Sequence, residues 1–277
     1  MSDCITKIGR SLIQHGKFND RIYLMSLDNT DYPGILHEMD VIAQENQYSK
    51  IFAKIPTYAL DGFLDAGFIE EATIPGFFNR QADAFFMGKF LDPRRQIERF
   101  PQKVTEIIDT AQAKGPAEIF PIPQGLTYKI AGKEDAGAIC AVYKEVFETY
   151  PFPIHDPDYI RQTMDENFIY FTLWDGDKLA AVSSTEIYPA YSNVEMTDFA
   201  TLPSYRGNGG AQFLLQKMEE EMRARGIVNA YTIARAYSFG MNITFARNVY
   251  QFGGTLTNNT NISGSMESMN VWFKSLK

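Results

Sequence analysis

The chain has 277 residues, 45% hydrophobic and 22% charged, with a net charge of −8. That is the profile of a soluble globular protein of one large domain or two ordinary ones. No apolar run approaches the roughly 20 residues that span a bilayer, the start, MSDCITKIGR, lacks a secretory signal pattern, and the acidic balance argues against nucleic acid; the expectation is a cytoplasmic protein with a small cationic substrate.

In chain order, residues 1–20 read as a polar lead-in, and RIYLMSL (21–27) as a strand. The next stretch, 28–47, places Ile35, Leu36, Met39 and Ile42 at helical spacing. KIFAKIP (50–56) alternates like a strand, and TYALDGFLDAGF reads as a short helix ending at Gly67. EEATIPGFF and DAFFMGKFL follow as two strands. The first unit, residues 1–91, is thus β-α-β-α-β-β. Residues 92–124 form a connector with proline-marked ends around a helix, VTEIIDTAQAK.

The second unit, 125–277, opens with a strand, LTYKIA, and a helical stretch that stops at PFPIHDP, where prolines break it. Two strands turn at Asp175, Gly176 and Asp177. NVEMTDFATLP is another strand, followed by a glycine cluster and a helix with Leu214, Leu215, Met218 and Met222 on one side. VNAYTIA is a strand; an apolar helical stretch then runs through Tyr250, and two strands close the chain. The ends of the two units share order and texture, FLDAGFIEEATIPGFF…DAFFMGKFL against VYQFGGTLTNNTNISG…SMNVWFKSL, which reads as a decayed internal duplication. Two cysteines (Cys4, Cys140) and three histidines (His15, His37, His155) match no disulfide framework and no metal-ligand spacing.

The segment PSYRGNGGAQFLL carries the clearest chemistry. A strand, then Arg206, Gly207, Asn208, Gly209, Gly210 and Ala211, then an amphipathic helix sets up a pyrophosphate cradle. The first helical amides lack intrahelical partners and stand at the positive dipole end. Glycines let a diphosphate approach them, and Arg206 adds a charge-assisted contact. No Gly-Lys-Ser/Thr follows, so it is not a P-loop, and there is no clean G-x-G-x-x-G.

VEMTDFATLPSYRGNGGAQFLL resembles the acyl-CoA segment of GCN5-related N-acetyltransferases, and NITFARNVYQFGG resembles that family's second segment. One extra residue between Asn242 and Ala246, and one fewer between Tyr250 and Gly253, depart from its pattern. TYPFPIHDP, SSTEIYP, EMTDFATLP, MNITFARNVY, NNTNISGSMESMNVWFK and the N-terminal IFAKIP…GFIEEATIPGFF…FFMGKF resemble the β-lysine N-acetyltransferase branch over nearly the whole chain. The resemblance implies an α/β fold with a mixed sheet: an acetyltransferase fold in the second unit and a truncated half of one in the first. It also implies acetyl-CoA as cosubstrate, with no metal, and transfer to the side-chain amine of β-lysine, giving a compatible solute in that family. Another amine such as a polyamine, or a CoA sensor without catalysis, are the alternatives.

An amine attacks a thioester only when neutral, and a lysine-type amine is neutral about once in a thousand at pH 7. A carboxylate can collect its proton. Glu195 and Asp198 are the candidates; a regular strand points them to opposite faces unless a bulge intervenes. Glu195 lies eleven residues before Arg206, where the family often carries its carboxylate, and is the expected base. Tyr250, four residues after Ala246 on one helical face, matches the tyrosine that gives the leaving thiolate its proton. The resemblance assigns the thioester oxygen to amides at Phe199, Ala200 and Thr201, and places Asn242 in the cofactor set. The PFPIHDP loop, Glu186 and Asp198 could ring a cationic pocket. In the first unit, DNTDYPGIL stands at the comparable place with Pro33 removing an amide, so that unit is expected to bind no CoA and to serve packing, gating or contacts in a possible homodimer.

Overall fold

The computed structural model describes residues 3–116 and 119–277. The chain opens with β1 (Cys4–Ile8), β2 (Ser11–Gly16) and β3 (Arg21–Ser26). The expected polar lead-in is therefore two strands. β1 is exposed along nearly its whole length, and β2 buries polar Ser11 and Gln14, so neither shows an apolar alternation. α1 (Gly34–Glu45) spans the positions read at helical spacing, and buries Ile35, Met39 and Ala43, one face at i, i+4, i+8. β4 (Lys50–Pro56), α2 (Leu60–Asp65), β5 (Ile69–Phe78) and β6 (Ala82–Phe90) complete the N-terminal half.

α3 (Pro101–Gln112) lies in the connector, and its Ala111 joins the core of the C-terminal half. That half comprises β7 (Thr127–Ile130), α4 (Ala136–Val146), α5 (Pro157–Glu166), β8 (Phe168–Asp175), β9 (Lys178–Tyr188), β10 (Asn193–Thr201), α6 (Gly210–Ala224), β11 (Asn229–Arg235), α7 (Phe239–Arg247), β12 (Gln251–Ile262) and β13 (Ser265–Ser275). α5 was not expected. Asp156 caps it, accepting from Asp158 N, with Pro157 at its first turn, a combination that starts helices.

All strands form one 13-stranded sheet in the order β1-β2-β3-β4-β6-β5-β12-β13-β11-β10-β9-β8-β7. Only β3/β4 and β10/β11 pair in parallel. Outward from the centre, the halves repeat one plan: a hairpin (β5/β6; β12/β13), the strand before it (β4; β11), its parallel neighbour (β3; β10), then antiparallel strands to the edge. The halves meet at Gly254, opposite Ala72. A Cβ on Gly254 (φ +141°) would lie 2.2 Å from the Glu71 carbonyl oxygen, and one on Gly253 2.8 Å from that of Thr73. The backbones approach too closely there for any side chain.

A polar clasp reinforces the junction. Lys50 Nζ lies 2.7 Å from Glu71 Oε2, both side chains buried, and also donates to Thr257 O at 2.9 Å. Asn258 Nδ2 donates to Arg95 O and Ile97 O, each at 2.8 Å. One apolar cluster mixes both halves: Tyr23, Phe52 and Phe77 pack with Tyr231, Leu256 and Val271. Among the described residues, no helix is long and apolar enough to cross a membrane.

Candidate active site

β10 and β11 pair at Asn193–Asn229, Val194–Ala230 and Glu195–Tyr231 and then diverge. Past Glu195, the β11-facing edge of β10 has no ladder partner. On its other edge β10 carries a bulge: Thr197 pairs with Ser184 and Ala200 with Val182, so Asp198 and Phe199 face the single Ser183. Asp198 takes a left-handed φ of +54°. The extra residue re-aims the chain, and Glu195 and Asp198 line one cavity instead of opposite faces.

That cavity measures about 610 Å³. The C-terminal half contributes Glu186, Glu195, Asp198, Phe199 and Phe245; the N-terminal half contributes Arg21, Tyr23, Met25 and Phe52. Three carboxyl groups of β9 and β10 thus border the cavity, with Glu166 at the end of α5 as a fourth. Burial, then the neighbouring Glu186, push the Glu195 carboxyl above the usual range, against the pull of Lys54 and a hydrogen bond from Tyr231. Burial also raises Glu186 and Asp198. Asp198 is heavily engaged: Ser184 Oγ donates at 2.6 Å, Thr197 Oγ1 at 3.2 Å, and the Tyr150 hydroxyl also donates to it. Those bonds fix the Asp198 carboxyl in place.

Lys54, on β4 of the N-terminal half, reaches the same neighbourhood. It is buried, its Nζ is 3.4 Å from the Tyr231 hydroxyl, and it sits 5.0 to 5.5 Å from the ring centroids of Tyr188, Phe77 and Tyr231. Burial lowers its pKa while Glu195 and Glu186 pull it back up. The Lys54 ammonium group sits beside the carboxyls of Glu195 and Glu186 and among aromatic rings that favour its charged form by cation–π attraction.

The glycine turn follows the end of β10. Arg206 is exposed and its Nε donates to Thr201 O at 3.0 Å. Gly207 (φ +83°) and Gly209 (φ +79°) are left-handed, and α6 begins at Gly210 with no side-chain cap. The amides of residues 207–212 donate to no acceptor among the described residues, whereas Phe213 N already bonds Gly209 O at 2.9 Å. A run of free donors at the positive end of a 15-residue helix fits a pyrophosphate. Ala200 and Thr201 pair with β9 through Val182 and Ala181, and Phe199 packs edge-on to Phe245 at 5.6 Å.

Two expected residues stand elsewhere. Asn242 is fully buried and its hydrogen-bonding capacity is spent. Its Nδ2 donates to Arg235 O and Ser238 O, and its Oδ1 accepts from Asn270 Nδ2 and Trp272 Nε1, both at 2.9 Å. With nothing left for a ligand, it ties α7 to β11 and β13. Tyr250 does not line the cavity either. α7 stops at Arg247 and Val249 takes a left-handed φ of +65°, so Tyr250 does not continue the helical face of Ala246. Its ring packs on Phe245 at 5.1 Å and beneath Lys274 Nζ. The hydroxyl is buried and makes no hydrogen bond of normal length and angle among the described residues, but Glu219 lies close by: burial, then Glu219, hold the Tyr250 pKa well up.

Sequence reasoning missed the N-terminal half's share of the cavity. The signal was present: Lys50 and Lys54 sit at inward positions of a strand that is otherwise apolar, and Arg21 opens another. Such charges are rarely buried without a purpose.

The model of the acetyltransferase (GNAT) family matches residues 138–251, a span holding β10, the glycine turn and α7. The chain is 39% identical over 270 residues to a β-lysine N(6)-acetyltransferase of Methanococcus maripaludis, covering 98% of each. It is 32% identical to the N-acetyltransferase YodP of Bacillus subtilis, covering 96% of each. It is 29% identical to a β-lysine N(6)-acetyltransferase of Methanosarcina mazei, covering 86% of this chain and 95% of that one. The divergence of β10 from β11 beside a cradle of free amides has its explanation in this kinship: the chain belongs to the acetyltransferase (GNAT) family.

Proposed function

We propose that the protein transfers an acetyl group from acetyl-CoA to the side-chain amine of β-lysine, with Glu195 as the base. The observation that carries the reading is the acidic wall of Glu186, Glu195 and Asp198 at the point where β10 leaves β11. Near-full-length kinship to two β-lysine acetyltransferases supports the choice of acceptor.

The wall attracts a cationic acceptor and holds its ammonium beside Glu195. A raised carboxyl pKa brings the base nearer to that of the amine, which eases proton transfer. Acetyl-CoA supplies an activated thioester carbonyl; residues 207–212 would hold its pyrophosphate through their amides and Arg206. Backbone groups of residues 199–201 would face the developing oxyanion as fixed dipoles. In the N-terminal half the comparable turn carries Asp31, whose carboxylate accepts from Arg10 N and Ser11 N, a poor setting for a second anion.

Steady-state turnover of acetyl-CoA with β-lysine, lysine and spermidine tests the reading. The highest kcat/KM is expected with β-lysine. Turnover of spermidine alone would establish a polyamine enzyme, and tight CoA binding without turnover a sensor.

A further inference from the structure

The cavity has two guanidiniums on its wall, Arg21 and Arg235, in different electrostatic states. Arg235 is neutralised by Glu267 in a two-pronged pair, Nε to Oε2 at 2.9 Å and Nη2 to Oε1 at 2.7 Å. Arg21 has no carboxylate within salt-bridge distance among the described residues. Its Nη1 donates to Asn259 O and to Thr260 Oγ1, and its guanidinium lies 5.3 and 5.5 Å from the ring centroids of Tyr23 and Phe52. Nε and Nη2 bond no acceptor among the described residues. The side chain is only 4% exposed. A buried cation with no carboxylate in contact and with donors left over is costly unless something anionic completes it.

The opposite charge is on the other half of the molecule, where the carboxyls of Glu186, Glu195 and Asp198 line the same cavity. Tyr23, two residues from Arg21 on one strand face, feels both the Glu195 carboxylate and the Arg21 cation. The cavity therefore runs from an anionic end to a cationic one. A polyamine would have no use for the cationic end, whereas an amino acid with a distal amine matches both.

We infer that Arg21, supplied by the N-terminal half, binds the carboxylate of the acceptor and so selects amino acids over carboxylate-free amines. This rests on the proposed acetylation of a small amine at the same site. Arg21 is a binding residue for the acceptor and takes no part in the proton transfer. The fork of its guanidinium suits bidentate recognition of a carboxylate.

The test compares β-lysine with 1,4-diaminopentane, the same molecule without its carboxylate, and with lysine. It is run on the full-length wild type, Arg21→Gln and Arg21→Lys. The ratio of kcat/KM for amino acid over diamine is read within each preparation, so loss of folded protein cancels. The ratio is expected to fall about 30- to 100-fold in Arg21→Gln, as for a lost charge-assisted contact. It should fall less in Arg21→Lys, while the KM for acetyl-CoA holds. An unchanged ratio with β-lysine still preferred overturns the role of Arg21 and leaves the proposed reaction standing. A collapsed ratio in an enzyme that prefers lysine supports Arg21 and removes β-lysine as acceptor. A wild type that prefers the diamine overturns both.

Discussion

Glu195 and Glu186 sit directly opposite each other in the β10–β9 ladder. Burial raises the cost of ionising either one, and like charges at paired positions repel as well. The Glu195 carboxyl is pushed up to about 8 as a result.

A base must be ionised to work, so activity falls as pH drops through the raised pKa. The acceptor kcat/KM is expected to rise with pH along a limb centred near 8. Glu186→Gln removes the repulsion and should move that limb to lower pH, and Glu195→Gln should cost roughly 10²- to 10⁴-fold. A limb that stays in place in Glu186→Gln would take Glu195 out of the proton transfer.

The same shift has a sign for stability. A carboxyl whose folded pKa lies above its unfolded one takes up protons on folding. Its stabilising share is complete below the unfolded value, 4.5, and is lost as pH rises towards 8. Glu195→Gln should therefore melt at a higher temperature than wild type at pH 9, with the gap closing near pH 4. Scanning calorimetry at the two pH values reads it directly.

Lys54 opposes the rise in the Glu195 pKa. Lys54→Met keeps most of the side-chain bulk and removes the charge. The pH–rate limb should then move to higher pH, opposite to the Glu186→Gln shift. A pH profile matching wild type would show that this charge does not reach the base.

Asn242→Ala should leave the KM for acetyl-CoA unchanged in the folded protein and cost about 2–4 kcal/mol of stability, because Trp272 and Asn270 lose their buried acceptor. Denaturant unfolding with a parallel KM measurement separates this from a ligand contact. Tyr250→Phe removes a hydroxyl that makes no hydrogen bond of normal length and angle among the described residues. We expect kcat to stay near wild type; a general acid would lose roughly 10²-fold.

Gly207→Ala and Gly209→Val probe the cradle differently. A Cβ on Gly207 meets nothing within 4 Å, whereas one on Gly209 lies 3.0 Å from Phe120 Cδ1. Gly207→Ala should then bear only the strain of a positive φ, about 1–2 kcal/mol, and weaken acetyl-CoA binding about tenfold. Gly209→Val should weaken it further. Calorimetric titration with CoA measures both, and undiminished affinity in the pair would move the coenzyme elsewhere.

The glycine turn and the helix behind it were legible in the sequence because such a turn before an amphipathic helix is a local device; Glu195 was a candidate by its distance from that turn. The shared cavity of Glu195 and Asp198 was not legible, since no glycine marks the bulge at 198–199 and alternation argues for opposite faces. Tyr250 stands off the helical face of Ala246 because a β-branched residue, Val249, takes the left-handed turn that follows the helix, against local preference. Arg21 and Lys54 became functional candidates only when the sheet joined the halves. Their contacts with Asn259 and Tyr231 span 238 and 177 residues, beyond the reach of any local pattern.

The sheet joins two copies of a plan at Gly254 and Ala72, and only one copy keeps the glycine turn. On the proposed reading, the other copy contributes only to the acceptor side of the cavity, through Arg21. On that reading, substitutions in β3 that leave Lys54 of β4 in place would change the choice of amine while Glu195 and the glycine turn keep their surroundings, which makes β3 the place to begin redesign.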